Sequence, residues 1–267
     1  MTIIYRSFPS STKKNLATDQ LSLRSTSNIA HLSSCLGLKL PQTERLVIVC
    51  PGCEPDWTSD AIRDMFDSLR NLEQLHELKI NCVGLLDTAF PLRLLTTALD
   101  ACPTLVTLDL DDVALSGTEQ EIAELALALQ RHSSMKEFRL FGCLADDSMH
   151  DHPSASASAG SLDSMLAALS TLKHVEIDAV DDGMLGSIDA CTLSILASSA
   201  TLERLHLNGF ALDNGRLERL AAALATNTVL QDLSFDLYAQ GSPGKGGHAM
   251  AESIRTNLHL LKLHISI

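Results

Sequence analysis

Cys50-Pro-Gly-Cys53 has the spacing of a redox or metal-binding thiol pair. A redox pair works when a strand delivers the first thiol to a helix N-terminus, where the helix dipole lowers its pKa. Here Glu54-Pro55-Asp56 follows, which reads as loop, so a structural role for the two thiols fits better. Asp146, Asp147, His150, Asp151 and His152 are of the right types to ligate a divalent cation. Metal sites need ligands that converge on a held backbone. These five lie in a Ser- and Ala-rich stretch broken by Pro153, which reads as a solvated loop. Gly241-Ser-Pro-Gly-Lys-Gly-Gly247 contains Gly-Lys, but no Ser or Thr follows Lys245 as a phosphate-binding loop requires. Neither Gly-x-Ser-x-Gly nor His-Glu-x-x-His occurs. The chemistry-bearing residues therefore predict no enzyme, no cofactor and no metal site.

Composition narrows the classes further. The chain has 267 residues, 45% of them hydrophobic and 20% charged, enough apolar material for a sizeable core. Twenty Lys and Arg stand against 33 Asp and Glu, a formal net charge of −13, whereas nucleic-acid binders need a basic face. Aromatic residues are only 4%, thin for base stacking or a conventional ligand pocket. No apolar run approaches the ~18–20 residues that span a bilayer. The first 18 residues lack the apolar stretch of a secretory signal; their Arg6, Lys13 and Lys14 with no acid before Asp19 faintly resemble an organelle transit peptide. Seven cysteines, an odd number with no pairing pattern, point to a reducing compartment. Cytoplasmic or nuclear residence is the expectation.

The elements that must carry any site come from a repeat. Leu75-His-Glu-Leu78-Lys-Ile80 recurs as Leu105-Val-Thr-Leu108-Asp-Leu110 and as Met135-Lys-Glu-Phe138-Arg-Leu140. It recurs again from Leu172, Leu202, Leu230 and Leu260, at spacings of 30, 30, 37, 30, 28 and 30. A degenerate copy around Leu46-Val-Ile-Val-Cys50 precedes them. The alternating L-x-L predicts a short strand with one buried face. Ten and six residues before each opening residue stands an apolar pair: Met65/Leu69, Leu95/Leu99, Leu125/Leu129, Leu220/Leu224 and Met250/Ile254. Spacing of i and i+4 stripes one face of a helix. One strand and one helix cannot bury their apolar faces alone, so the units must stack.

The motif resembles the leucine-rich repeat family, in the ribonuclease-inhibitor-like subclass with a full helix per repeat. Residues 212–230, Leu212-Asp-Asn-Gly-Arg-Leu-Glu-Arg-Leu220-Ala-Ala-Ala-Leu224-Ala-Thr-Asn-Thr-Val-Leu230, come closest to it. The resemblance covers residues 43–267. It implies an α/β right-handed solenoid of about eight repeats of ~30 residues, with a parallel sheet on the concave side and helices on the convex side. The family usually places Asn or Cys three residues after the last strand-motif Leu, to bond the turns between repeats. This chain has Val83, Val113, Cys143, Val180, Phe210 and Tyr238 there, so only Cys143, with Cys53 in the first copy, fits, and the other turns must satisfy their backbone otherwise. Residues 1–26 read as a disordered tail and residues 27–42 as an N-terminal capping helix. Residues 146–160 form an insertion loop, and residues 241–247 a second flexible loop.

In-register stacking would place equivalent strand positions ~4.8 Å apart in rows on the concave face. One row reads Lys79, Asp109, Arg139, Glu176, His206, Ser234, His264, and its alternating signs neutralise one another. The next reads Asn81, Asp111, Phe141, Asp178, Asn208, Asp236, Ser266, with Asp112 beside it and no base to balance three aspartates. Asp111, Asp112, Phe141, Asp178 and Asp236 are thus the candidate partner-binding residues. The expected function is a non-catalytic protein-interaction module whose partner carries a basic patch; no nucleic acid and no membrane is expected. The family resemblance also admits a GTPase-activating protein, though no functional Arg or Asn motif of that group matches here, or a fragment of a larger intracellular receptor. The last strand would leave an open edge, which predicts self-association through the C-terminal strand.

Overall fold

The computed structural model describes residues 6–7, 18–22, 43–49, 60–82, 89–116, 118–144, 159–179, 190–209, 212–236 and 244–266. Each L-x-x-L-x-L copy forms a strand. They are β3 (Arg45–Val49), β4 (Glu77–Asn81), β6 (Thr107–Ser116), β7 (Glu137–Leu144), β8 (His174–Ala179), β9 (Arg204–Asn208), β10 (Asp232–Asp236) and β11 (Lys262–Ser266). These eight pair in that order in one parallel sheet. β5 (Ala89–Pro91) adds to the far half of β6. Helices alternate with the strands: α1 (Asp60–Asp67), α2 (Leu92–Ala101), α3 (Glu119–Arg131), α4 (Ala159–Ala168), α5 (Ala190–Ala197), α6 (Asn214–Thr226) and α7 (Lys245–Thr256). Each helix packs on the next along the chain. The unit is therefore strand–helix, repeated and stacked. No helix among the described residues is long and apolar enough to cross a membrane.

One continuous core lies between sheet and helices. Leu78, Ile80, Leu108, Leu110, Phe138, Val175, Leu205 and Leu233 are all buried at 0–1% exposure, as are Met65, Leu69, Leu95, Leu125, Leu129, Leu220 and Leu224 on the helices. Both apolar spacings thus point where the alternation requires. Phe66 and Phe90 meet edge to face, their centroids 6.2 Å apart, and close the core near β5. Local sequence sets the helix starts. Thr118 and Glu121 form a reciprocal capping box on α3, and the Asp213 carboxylate accepts from the Arg216 N–H at the start of α6.

Two expectations change. Within residues 1–26, expected as a tail, β1 (Arg6–Ser7) and β2 (Thr18–Ser22) are strands, and β2 extends the parallel sheet beside β3. Edge backbone groups of β3 are satisfied this way. Within residues 241–247, expected as loop, Lys245, Gly246 and Gly247 open α7. The turns at the other end of the strands add a feature that the sequence reading did not contain. A side-chain ladder runs along five of the helix-to-strand turns, three residues before the opening apolar residue; Leu72 and Leu169 interrupt it. Cys102 Sγ donates to the Leu69 carbonyl (3.7 Å), and His132 Nε2 donates to the Cys102 carbonyl (2.9 Å). The Ser199 hydroxyl donates to Ser170 O (2.6 Å). Asn227 Nδ2 donates to Ala197 O and Ser199 O, and Asn257 Nδ2 to Leu224 O and Asn227 O. The helix-to-strand turns are thus bonded from side chain to backbone, at the other end of the strands from Val113 and Cys143. Burial pushes the Cys102 thiol up to about 12, so it stays protonated and serves as a donor. The capping helix over 27–42, the Cys50–Cys53 pair, all but the last two residues of the 146–160 loop, and Val83, Val180, Phe210 and Tyr238 lie outside the described residues.

Candidate functional site

The sheet face turned away from the helices carries the polar strand residues, because each alternates with a buried apolar neighbour. Its first predicted row is present in full. Lys79 pairs in register with Asp109, then Arg139, Glu176, His206, Ser234 and His264. Lys79 Nζ lies 3.4 Å from Asp109, and Arg139 Nε lies 3.7 Å from Glu176. The row does not neutralise itself alone, however. Arg139 also reaches Glu137 at 3.0 Å, and His206 Nε2 donates to Asp232 at 3.1 Å, both in the row before it.

The predicted strip is in register from Asn81 through Asp111, Phe141 and Asp178 to Asn208. Asp236 pairs with Ser266 through the backbone, but its side chain lies outside the described residues. The strip was expected to lack a counter-charge, and for Asp111 that is corrected. Lys79 Nζ crosses diagonally to Asp111 at 2.9 Å, and Asn81 Nδ2 donates to the same oxygen at 2.9 Å. Burial alone would lower the Lys79 pKa, but the hydrogen bond to Asp111 and the charges of Asp109 and Asp111 outweigh it and hold it above the ordinary lysine value. One lysine therefore serves two aspartates.

Asp112 occupies a bulge. Asp111 pairs with Phe141 and Val113 with Gly142, so Asp112 is the extra residue, with φ of 59°. Simple alternation after the buried Leu110 would have turned the Asp112 carboxylate into the core. The bulge puts Val113 there instead, at 1% exposure. Aspartate tolerates this left-handed conformation better than most residues with a side chain. Phe141, at 44% exposure, is the aromatic on this strip, between Asp111 and Asp178.

A third row escaped sequence reading. One residue before each first inward position stand Arg45, Glu77, Thr107, Glu137, His174, Arg204, Asp232 and Lys262, in register throughout. Arg45 meets Glu77 at 2.8 Å, and His174 Nδ1 donates to Glu137 at 3.0 Å. Arg204 and Lys262 approach Asp232 at 3.5 and 3.9 Å. The signal was available: the second variable residue of L-x-x-L is charged or histidine in nearly every copy. The C-terminal strand edge holds aspartates around Phe141, and the N-terminal edge near β8–β11 sets His174, Arg204 and Lys262 around Asp232. Among the described residues no cluster of His, Cys, Asp and Glu could hold a metal ion.

No family model matches the chain, and no curated protein matches it. Solved structures do. A protein of Bacteroides fragilis superposes with a TM-score of 0.51 at 13% identity, over 90% of this chain and 71% of that one. The tropomodulin C-terminal domain of Caenorhabditis elegans matches at a TM-score of 0.32 and 12% identity, over 86% of this chain and 93% of its own. The yeast Rad7 and Elc1 complex matches at 0.42 and 15%, over 91% of this chain and 64% of that one. At 13% identity the likeness to the Bacteroides fragilis protein concerns fold alone.

Proposed function

We propose that this chain is a non-catalytic interaction module, a right-handed leucine-rich-repeat solenoid of about eight units in the ribonuclease-inhibitor-like manner. It seats a protein partner with a basic patch on the open sheet face. One observation carries the reading: Phe141 stands exposed between Asp111 and Asp178, while Asp109 and Asp111 share the single Lys79. Two carboxylates on one ammonium leave negative charge that an incoming Lys or Arg would meet. The exposed ring offers an anchor to desolvate beside it. Charges at a rim mainly steer association, whereas a desolvated aromatic anchor mainly slows dissociation.

The test begins with capture of partners on the purified chain, followed by binding kinetics across ionic strength. Phe141→Ala should raise the off-rate, by about thirtyfold for an anchor worth ~2 kcal/mol, with little loss of fold. Asp111→Asn together with Asp178→Asn should slow association and flatten its salt dependence. Unchanged rates for all three substitutions would remove the site from this face.

A further inference from the structure

A cavity of about 110 Å³ opens at the other edge of the same face, between the N-terminal ends of β9, β10 and β11. Arg204, Asp232, Lys262, His174, Glu203 and Leu261 form its walls. Its acids are already engaged. Glu203 takes a hydrogen bond from Lys173 at 2.5 Å, and that bond with the lysine charge holds its carboxyl below the usual range. Asp232 accepts from His206 at 3.1 Å. Its donors are not engaged to the same degree. The Arg204 guanidinium makes one ion pair, through Nε to Asp232 at 3.5 Å, and donates no hydrogen bond to any described residue. Lys262 Nζ lies 3.9 Å from Asp232 and its side chain is 75% exposed. Glu137, the remaining acid nearby, is held by Arg139 and His174. Among the lining residues Arg204 and Lys262 equal Asp232 and Glu203 in number, but both acids already have partners, so the unused capacity is donor capacity. What fits is an acceptor with negative charge.

The third wall gives the neighbour of that acceptor. The backbone N–H of Leu261 donates to Gln231 O, that of Gln231 to Glu203 O, and that of Glu203 to Lys173 O, so these four residues are equivalent positions in successive repeats. Three of them are polar, but the fourth is a leucine at 75% exposure. It is not a core position left open, because its equivalents Lys173 and Gln231 are exposed as well. An apolar side chain therefore stands beside a forked cation at the lip of a cavity.

We propose that this cavity binds the carboxylate of an acidic side chain in a partner peptide segment, with the segment's next apolar side chain against Leu261. The planar Arg204 fork would take the carboxylate in a bidentate manner, with Lys262 as a second charge. The chain's net charge of −13 opposes an anion at long range. The site therefore works through direct hydrogen bonds rather than through steering. It is independent of the Asp111–Phe141–Asp178 strip and lies at the opposite strand edge.

The test uses the full chain and a fluorescein-labelled peptide of about six alternating glutamate and leucine residues, read by fluorescence anisotropy. The glutamine–leucine peptide should bind at least about tenfold more weakly. Arg204→Lys keeps the charge and loses the fork, and should weaken the glutamate peptide by about tenfold. Leu261→Gln, which matches the polar residue of the three preceding repeats, should weaken it several-fold. Phe141→Ala should leave it unchanged, which separates this site from the one above. Thermal melts of each variant check the fold; Lys262→Gln, at a well exposed position, supplies a second cation removal if Arg204→Lys melts early. Four results would each overturn the proposal: no binding of the glutamate peptide, equal binding of the glutamine peptide, affinity unmoved by Arg204→Lys or by Lys262→Gln, or displacement of the peptide by free glutarate at the peptide's own concentration, which would assign the cavity to small carboxylates.

Discussion

Replacing Asn227 by alanine should remove about 3 kcal/mol of stability, from a polar side chain in a helix-to-strand turn. The carboxamide makes four hydrogen bonds. Its Nδ2 donates to Ala197 O at 2.7 Å and Ser199 O at 3.0 Å, and its Oδ1 accepts from the N–H groups of Val229 and Leu230 at 2.7 Å each. Asn227 is 7% exposed and Leu230 is 0% exposed, so water cannot readily replace the lost partner of the Leu230 N–H. A hydrogen bond contributes ~1 kcal/mol net, and a buried donor left without a partner costs ~1–3 kcal/mol. The Val229 N–H and the two carbonyls recover part of the loss through solvent, which brings the sum to ~3 kcal/mol. Asn257 makes the same four kinds of bond one repeat later, but it is only half-buried. Asn257→Ala should therefore cost less, ~1–2 kcal/mol. Urea unfolding at equilibrium measures both, with the slope compared between variants so that a change of cooperativity is not read as stability. In a thermal scan the Asn227 variant should melt ~6–12 °C lower. A loss below ~1 kcal/mol for Asn227→Ala, or equal losses for the two asparagines, would refute the claim that burial of the ladder sets its worth.

Gly246 and Gly215 should respond in opposite directions to alanine. A Cβ on Gly246 would meet Asn214 O at 2.5 Å and Leu217 Cβ at 2.8 Å, forcing α7 off α6 at ~1–3 kcal/mol despite better helix propensity, whereas on Gly215 it would meet only Asp213 Oδ1 at 3.5 Å and should stabilise by ~0.5–1 kcal/mol. Melting curves of the two single variants decide it; a stabilised Gly246→Ala would mean that the two helices sit further apart than described. Lys79, held above the ordinary lysine value, contributes stability that is complete below that value and is lost as pH rises through its folded pKa. The stability difference between the wild type and Lys79→Met should thus be flat through neutral pH and shrink above about pH 10; a difference that shrinks on acidification to pH ~6 would contradict it. Leu108→Ala, at a position with 0% exposure, should cost ~2–5 kcal/mol in urea unfolding.

Leu108, Leu110, Leu205 and Leu207 could be placed in the core from the sequence because burial in a repeat is a local, periodic property. Alternation within each strand chooses the face, and a near-constant spacing aligns the strands, so whole rows such as Lys79–Asp109–Arg139 follow without coordinates. What each side chain does within its row does not follow. Lys79 was assigned to its own row, yet a four-carbon stem lets its ammonium reach Asp111 on the neighbouring strand. Asp112 was legible as an acid beside the strip, but the bulge that keeps it out of the core is decided by the cost of burying a carboxylate against that of one irregular residue. The ladder was hidden for a different reason. Cys102, His132, Ser199, Asn227 and Asn257 share a position and a task but no single residue type, because any donor of suitable reach can bond the carbonyl of the preceding turn. Only the stacked backbone, which brings that carbonyl to within hydrogen-bonding distance, shows that they are equivalent.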